Sequence, residues 1–319
     1  MLYDDDDDNR PSLSHRLRKS PGVITVAALV PACLAGWLIW HSVGGPEGTS
    51  AKSPATAETQ DSTPSTTPTK PSHAADGDNK QGDDKPGNGA PAGHASLAGK
   101  VVVIDPGHNP NNYRHPTEIN RRVNIGNGTT ECDTTGTSTN NGYAEAQFTL
   151  DVSHRLRALL EKQGVKVRLT QNDDHSFGPC VTERASFGNK AKADAAVSVH
   201  ADGSSVGHRG FHVILPALVK AGAADTADIV APSHDLGTRI AGKFVRDTGT
   251  APSNYIGGGT GLDTRGDLGG LNLSTVPKVF IECGNMRDPK DAALLTSGSW
   301  RQKAAQGIAD GISSFLHAE

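Results

Sequence analysis

The sequence predicts an α/β domain that occupies residues 97–319 and follows a long non-globular N-terminal region. Three observations predict it. From residue 97 onward, short apolar runs alternate with amphipathic helical stretches, the pattern of sheet strands and their crossover helices. Residues 44–96 carry almost no large apolar side chain. Three of the apolar runs end in histidine or glutamate, which places a site at the carboxyl edge of the sheet, where open α/β sheets gather their ligands.

Composition removes some function classes. The chain has 319 residues and a formal net charge of −4, with no dense basic run in its second half. Aromatic content is 4%, too sparse for the stacking platforms of a single-strand binder. Nucleic acid is therefore not an expected partner.

The N-terminal region divides into three zones. Residues 1–22 are polar, with an acidic run over residues 4–8 and the basic stretch His15-Arg16-Leu17-Arg18-Lys19. Residues 23–40 carry no charge; as a helix these 18 residues would span about 27 Å, against a hydrocarbon core of about 30 Å. Pro31 is tolerable there, Trp37 and Trp40 suit an interface, and the basic flank keeps residues 1–22 cytoplasmic. Residues 23–43 read as a membrane-spanning signal anchor, with a signal peptide cut near residues 42–44, or a lipoprotein with Cys33 lipidated, as alternatives. Each places the rest of the chain outside the cytoplasm. Residues 44–96, rich in Pro, Ser, Thr, Gly, Asp and Lys, cannot bury enough surface to offset their ordering entropy and read as a disordered linker.

The elements of the domain follow in order. Residues 100–104 (KVVVI) form a buried strand ending in the turn Asp-Pro-Gly. Residues 144–163 carry Phe148, Val152, Leu156, Leu159 and Leu160 at helical spacing, stopped by Gly164. Strands are expected over 165–169, 195–199, 211–215 and 278–281. Helices are expected over 182–192, with Thr182 as cap, and over 233–247. Residues 288–316 read as two helices around Ser297-Gly298.

Chemistry concentrates at the strand ends. Asp105-Pro106-Gly107-His108 follows the first strand, His200-Ala201-Asp202 follows the strand over 195–199, and Glu282-Cys283-Gly284-Asn285 follows that over 278–281. Glu145 opens the long helix, where the helix dipole favours a carboxylate. Two histidines and one carboxylate suit a catalytic zinc with a fourth position left to water. A further carboxylate is then needed to carry the proton to a leaving nitrogen, and Glu282 suits that role. On spacing alone, histidines in purely structural roles explain the same pattern.

The residues also resemble a family. VVVIDPGH, AEAQFTLDVSHRLRALLEKQGVKVRLTQ, RASFGNKAKADAAVSVHAD, GFHV and LGGLNLSTVPKVFIECGNMRDPKDAALL are together similar to the zinc-dependent N-acetylmuramoyl-L-alanine amidases of the third amidase family. The resemblance covers residues 100–316. It implies a mixed sheet flanked by helices in a single catalytic domain, with zinc held by His108, Glu145 and His200 and with Glu282 as general base. It implies cleavage of the amide between N-acetylmuramic acid and the L-alanine of the peptidoglycan stem peptide. A wall-binding or regulatory module of the same fold, and a zinc peptidase acting on stem peptides, are the alternatives. The long Asn-, Thr- and Gly-rich segment 109–141 departs from the family pattern and is expected to wall the groove.

Other residues carry weaker expectations. Arg265 is placed near the groove, where its planar fork would suit a substrate carboxylate, or else is an ordinary surface arginine. Asp105 and Asp202 are candidates to orient the zinc histidines, or else cap turns. Residues 257–261 (GGGTG) lack the preceding strand and lysine of a phosphate loop and read as a flexible loop. His115, His154, His175, His208, His212 and His234 read as surface or structural. In an exported domain Cys132 and Cys180 are expected to form a disulfide, with two separate thiols as the alternative. Cys283 is expected to stay a packed free thiol.

Overall fold

The computed structural model describes residues 96–318. The expected membrane segment and the linker up to residue 95 lie outside them. Among the described residues no helix is long and apolar enough to cross a membrane. In chain order the elements are β1 (Val101–Pro106), α1 (Pro116–Ile119), β2 (Arg122–Asn124), β3 (Thr129–Glu131), α2 (Glu145–Glu161), β4 (Lys166–Leu169), α3 (Val181–Ala191), β5 (Ala195–Asp202), β6 (His212–Pro216), β7 (Lys220–Ala221) and β8 (Ala224–Asp225). They continue with α4 (Ala227–Thr248), β9 (Leu262–Arg265), α5 (Gly269–Asn272), β10 (Lys278–Asn285), α6 (Pro289–Leu295) and α7 (Gly298–Leu316).

Six strands form a mixed sheet in the order β4-β1-β5-β10-β6-β9. Neighbours pair in parallel except β10 with β6, which are antiparallel. The period-two alternation of strand side chains sorts the two faces. Val102, Ile104, Val197, Val199, Val213, Val279 and Ile281 enter one large core with Phe148, Val152, Leu156 and Leu160 of α2. Leu236, Ile240 and Phe244 of α4 and Trp300, Ile308 and Ile312 of α7 complete it. Val103 and Ala196 point the other way, into a small cluster with Val276 and Phe187. Each large side chain so buried contributes about 1.5–3 kcal/mol. On α7, a Cβ at Gly311 would stand 2.5 Å from the Cα of Ile240, so the missing side chain is what lets α7 lie against α4.

Several boundaries differ from those expected, each for a local reason. β5 and β10 run past residues 199 and 281 because their pairing continues to Glu282 opposite His200 before a bulge. His200 and Glu282 therefore belong to the sheet and not to loops beyond it. The cap of α3 is Cys180, whose N–H is accepted by Glu183 at 2.8 Å, and Thr182 lies inside the helix. The helix expected from residue 233 begins at Ala227 and runs through Pro232, because Ile229 extends the stripe of Leu236, Ile240 and Phe244. Behind the GGGTG run lies β9, an edge strand paired to β6. The segment 109–141 contains α1 and the small β2–β3 hairpin.

Candidate active site

A groove of about 320 Å³ opens at the carboxyl ends of β1, β5 and β10. His108, Glu145, His200, Asp202, Arg265 and Glu282 line it. Residues 92 positions apart in the chain thus meet, because β1 and β5 are adjacent parallel strands that end together.

Glu145 is the centre of the cluster. It is the first residue of α2, buried, with its carboxylate turned toward the sheet. Oε1 lies 3.0 Å from Nδ1 of His200 and accepts the N–H of Ala201 at 3.1 Å. Oε2 lies 3.2 Å from Nε2 of His108 and accepts the N–H of Thr137 at 2.9 Å. The two imidazoles meet edge to face at 5.0 Å, and His200 stacks on Phe280 at 5.4 Å. One donor atom from each of His108, Glu145 and His200 lies within 4.8 Å of the others, close enough to hold a single metal ion. Burial disfavours the charged ring of His108, but the Glu145 carboxylate, joined by Asp133, overrides it and pushes the pKa up to about 10. Burial acts on Glu145 in the opposite sense and is again outweighed, here by His108, so its carboxyl stays below the usual range. A site that so favours positive charge is prepared for a cation.

The turn before His108 is tightly constrained. A Cβ on Gly107 would stand only 2.3–2.6 Å from three ring atoms of His200. His108 itself adopts φ 61°, a left-handed conformation that costs a non-glycine residue about 1–3 kcal/mol and persists only where surroundings impose it.

Glu282 stands beside this cluster. In the sheet it is flanked by His200 on β5 and by His212 on β10's other neighbour, β6. Its Oε2 is buried and has no hydrogen-bond partner among the described residues. Burial, with the nearby carboxylates of Glu145 and Asp202, pushes its pKa well up. Arg265 lines the same groove and is forked onto Asp267 at 2.9 and 2.7 Å.

Beneath the groove lies a layer of buried charge that sequence reasoning missed. Asp105 accepts from Arg184 at 2.8 Å, Lys278 at 3.3 Å, Ser198 at 2.6 Å and Thr170 at 2.5 Å. Burial raises its pKa, but Lys278 and Arg184 more than reverse that and hold the carboxyl well below its usual range. Asp105 was expected either to orient a zinc histidine or to cap a turn; its hydrogen bonds go to these four groups. Strand alternation turns Asp105 to the face of Val103, where it neutralises two buried cations. Asp202 is likewise engaged elsewhere, accepting from the hydroxyl of Tyr255 and from the N–H of Gly203 at 2.6 Å. Tyr255 in turn stacks on His208 and meets His212 edge to face, so these two histidines support the groove wall. The one available signal was a lysine opening the apolar run 278–281, a position where a charge must find a partner.

Cys132 and Cys180 form a disulfide with Cα atoms 4.3 Å apart, and Cys283 is a buried free thiol.

Comparison with known proteins agrees with this architecture. The profile of the Amidase_3 family, N-acetylmuramoyl-L-alanine amidase, matches residues 102–314. The N-acetylmuramoyl-L-alanine amidase Rv3717 of Mycobacterium tuberculosis is 42% identical over 232 residues, 71% of this chain and 90% of that protein. Two crystal structures of the N-acetylmuramyl-L-alanine amidase Ami1 are similar at 39% identity. That from Mycobacterium smegmatis has a TM-score of 0.64 over 70% of this chain and all of its own. That from Mycobacterium abscessus has a TM-score of 0.63 over 69% of this chain and all of its own. The matched span runs from β1 to α7 and takes in the whole groove, and on that ground the chain belongs to the Amidase_3 family of N-acetylmuramoyl-L-alanine amidases.

Proposed function

We propose that the chain hydrolyses the amide joining N-acetylmuramic acid to L-alanine in peptidoglycan, with zinc held by His108, Glu145 and His200 and with Glu282 as general base. The donor set fits the ion: two imidazole nitrogens and one carboxylate on one wall of an open groove leave room for water and substrate. When bound, zinc polarises the scissile carbonyl and lowers the pKa of water to about 7. The observation that carries the reading is Glu282, opposite His200 in the strand register, whose buried Oε2 has no hydrogen-bond partner among the described residues. Its raised pKa suits a group that takes a proton from water and delivers it to the departing L-alanine nitrogen. Arg265 lines the groove wall with Nε and Nη2 engaged by Asp267, so a stem-peptide carboxylate would meet its Nη1 or displace Asp267 from the fork.

The disulfide suits an oxidising compartment outside the cytoplasm, where the wall lies. Residues 23–43 would supply the membrane anchor and residues 44–96 the linker. Protease added to intact spheroplasts should then degrade the domain; full protection would contradict this placement.

Digestion of purified peptidoglycan, read by mass spectrometry, tests the reaction. Intact stem peptides with a free L-alanine amino group and uncut glycan strands are expected. Shortened peptides still attached to muramic acid would instead identify a peptidase.

A further inference from the structure

His108 sits in the loop beyond β1, so the sheet does not fix its ring. What touches the ring nitrogen facing away from Glu145 comes from the departing segment 109–141. Nδ1 of His108 lies 3.1 Å from the carbonyl oxygen of Thr134, 3.2 Å from Oγ1 of Thr134 and 3.5 Å from Oδ1 of Asp133. An N–H at Nδ1 donating to these oxygens leaves the Nε2 lone pair facing Glu145, as a metal ligand requires.

Residues 133 and 134 belong to neither helix nor strand, yet they are pinned on every side. Cys132 is bonded covalently to Cys180, at the start of α3, and its carbonyl accepts the N–H of Val181 at 2.7 Å. Oδ2 of Asp133 takes Nη2 of Arg184 at 2.9 Å. The carbonyl of Thr134 takes Nδ2 of the buried Asn112 at 2.7 Å. The disulfide and the ion pair therefore land on the same helix end, four residues apart.

Arg184 has no donor to spare. Nε goes to the carbonyl of Pro179 at 2.8 Å, and Nη1 goes to Asp105 and the carbonyl of Pro106 at 2.8 and 2.6 Å. Nη2 goes to the carbonyl of His108 and to Asp133, both at 2.9 Å. One guanidinium thus grips His108 by its main chain, at the residue with positive φ, and by its ring through Asp133.

We infer that Asp133 and Thr134 are positioning residues for His108, and that the Cys132–Cys180 disulfide together with Arg184 holds them in place. The inference rests on the zinc reading above. A stretch that closes only a surface loop would stabilise the fold without changing metal affinity, whereas partners that orient a ligand imidazole typically contribute 10–100-fold to it.

The test is zinc affinity of the full chain, measured by competition with a chromogenic chelator under non-reducing conditions, alongside thermal melting of the metal-free protein. Asp133→Ala should weaken zinc binding about 10–100-fold. Asp133→Asn, which keeps an oxygen but not the charge, should fall between. Cys132→Ala/Cys180→Ala should weaken it as well, although all three ligands and Asp133 are intact. Folded Asp133 and cysteine variants that melt lower but hold zinc within twofold of wild type would overturn the inference. If Asp133→Ala does not fold, Asp133→Asn and the cysteine pair decide. A wild-type chain that binds no zinc would instead overturn the metal reading itself.

Discussion

The ring of His200 occupies the space that a side chain on Gly107 would need. This contact couples the turn after β1 to a side chain on β5, so the smallest possible addition at Gly107 has a predictable effect. Gly107→Ala should displace His200 from Glu145 and lower zinc affinity by on the order of tenfold or more, with an overpacking cost of about 1–3 kcal/mol. Zinc content after dialysis, with a melting curve, checks it; an undisturbed zinc content would show that the ring moves freely.

Glu282→Gln keeps the shape of the carboxylate but cannot accept a proton. It should retain zinc and lose at least about 100-fold in turnover on peptidoglycan. The base works only when ionised, and burial with Glu145 and Asp202 raises its pKa. In the metal-free protein Glu282 should therefore titrate above the ordinary glutamate value of 4.5, which carboxyl NMR of the zinc-free chain measures. Near-normal turnover in the glutamine variant would remove Glu282 from the chemistry.

Zinc binding should depend steeply on pH. In the metal-free protein the Glu145 carboxylate helps keep His108 protonated up to about 10, and a ligand nitrogen must give that proton up. Between pH 6 and 8 the apparent affinity should rise about tenfold per pH unit, with release of about one proton. Calorimetry in buffers of different ionisation enthalpy measures that proton; an affinity flat across this range would contradict the His108–Glu145 coupling.

Acid should weaken the fold through the buried layer. Burial raises the pKa of Asp133, but Arg184 and His108 outweigh it and bring the carboxyl down to about 2 from 3.8. Because the folded value lies below the unfolded one, this group stabilises the fold above pH 3.8, and the contribution is lost as pH falls toward 2. Asp105 acts in the same sense. Asp105→Ala, which leaves Lys278 and Arg184 buried without their shared anion, should cost about 3–5 kcal/mol. Urea unfolding at pH 5 and pH 3 checks both statements; equal stability at the two pH values would refute the first.

Much of the site was legible because its residues sit at strand ends. The apolar runs before His108, His200 and Glu282 announce β1, β5 and β10, and parallel neighbours necessarily bring such ends together. Glu145 was legible from the apolar stripe of α2, which fixes where that helix starts. The partners of the histidines were not. Asp105 lies near His108 in sequence, but Arg184, Lys278, Ser198 and Thr170 take its oxygens, while Asp133 acts from an irregular stretch with no period to read. Arg184 looks like any helix-surface arginine until α3 is packed on the sheet. β9, α5 and the two hairpins are too short or too rich in glycine to rise above a loop reading.

The placement of the chain ends has a practical consequence. Ser96 and His317 line one pocket, so both ends of the described domain emerge together. β1 begins at Val101, and its six residues carry the chain about 20 Å toward the His108, Glu145 and His200 cluster. A fusion made at either position therefore starts away from the groove. A fluorescent reporter, a surface-immobilisation tag or a substitute wall-targeting module fused at residue 96 or after residue 318 should leave the cutting edge uncovered, and both ends of one molecule can be used at once.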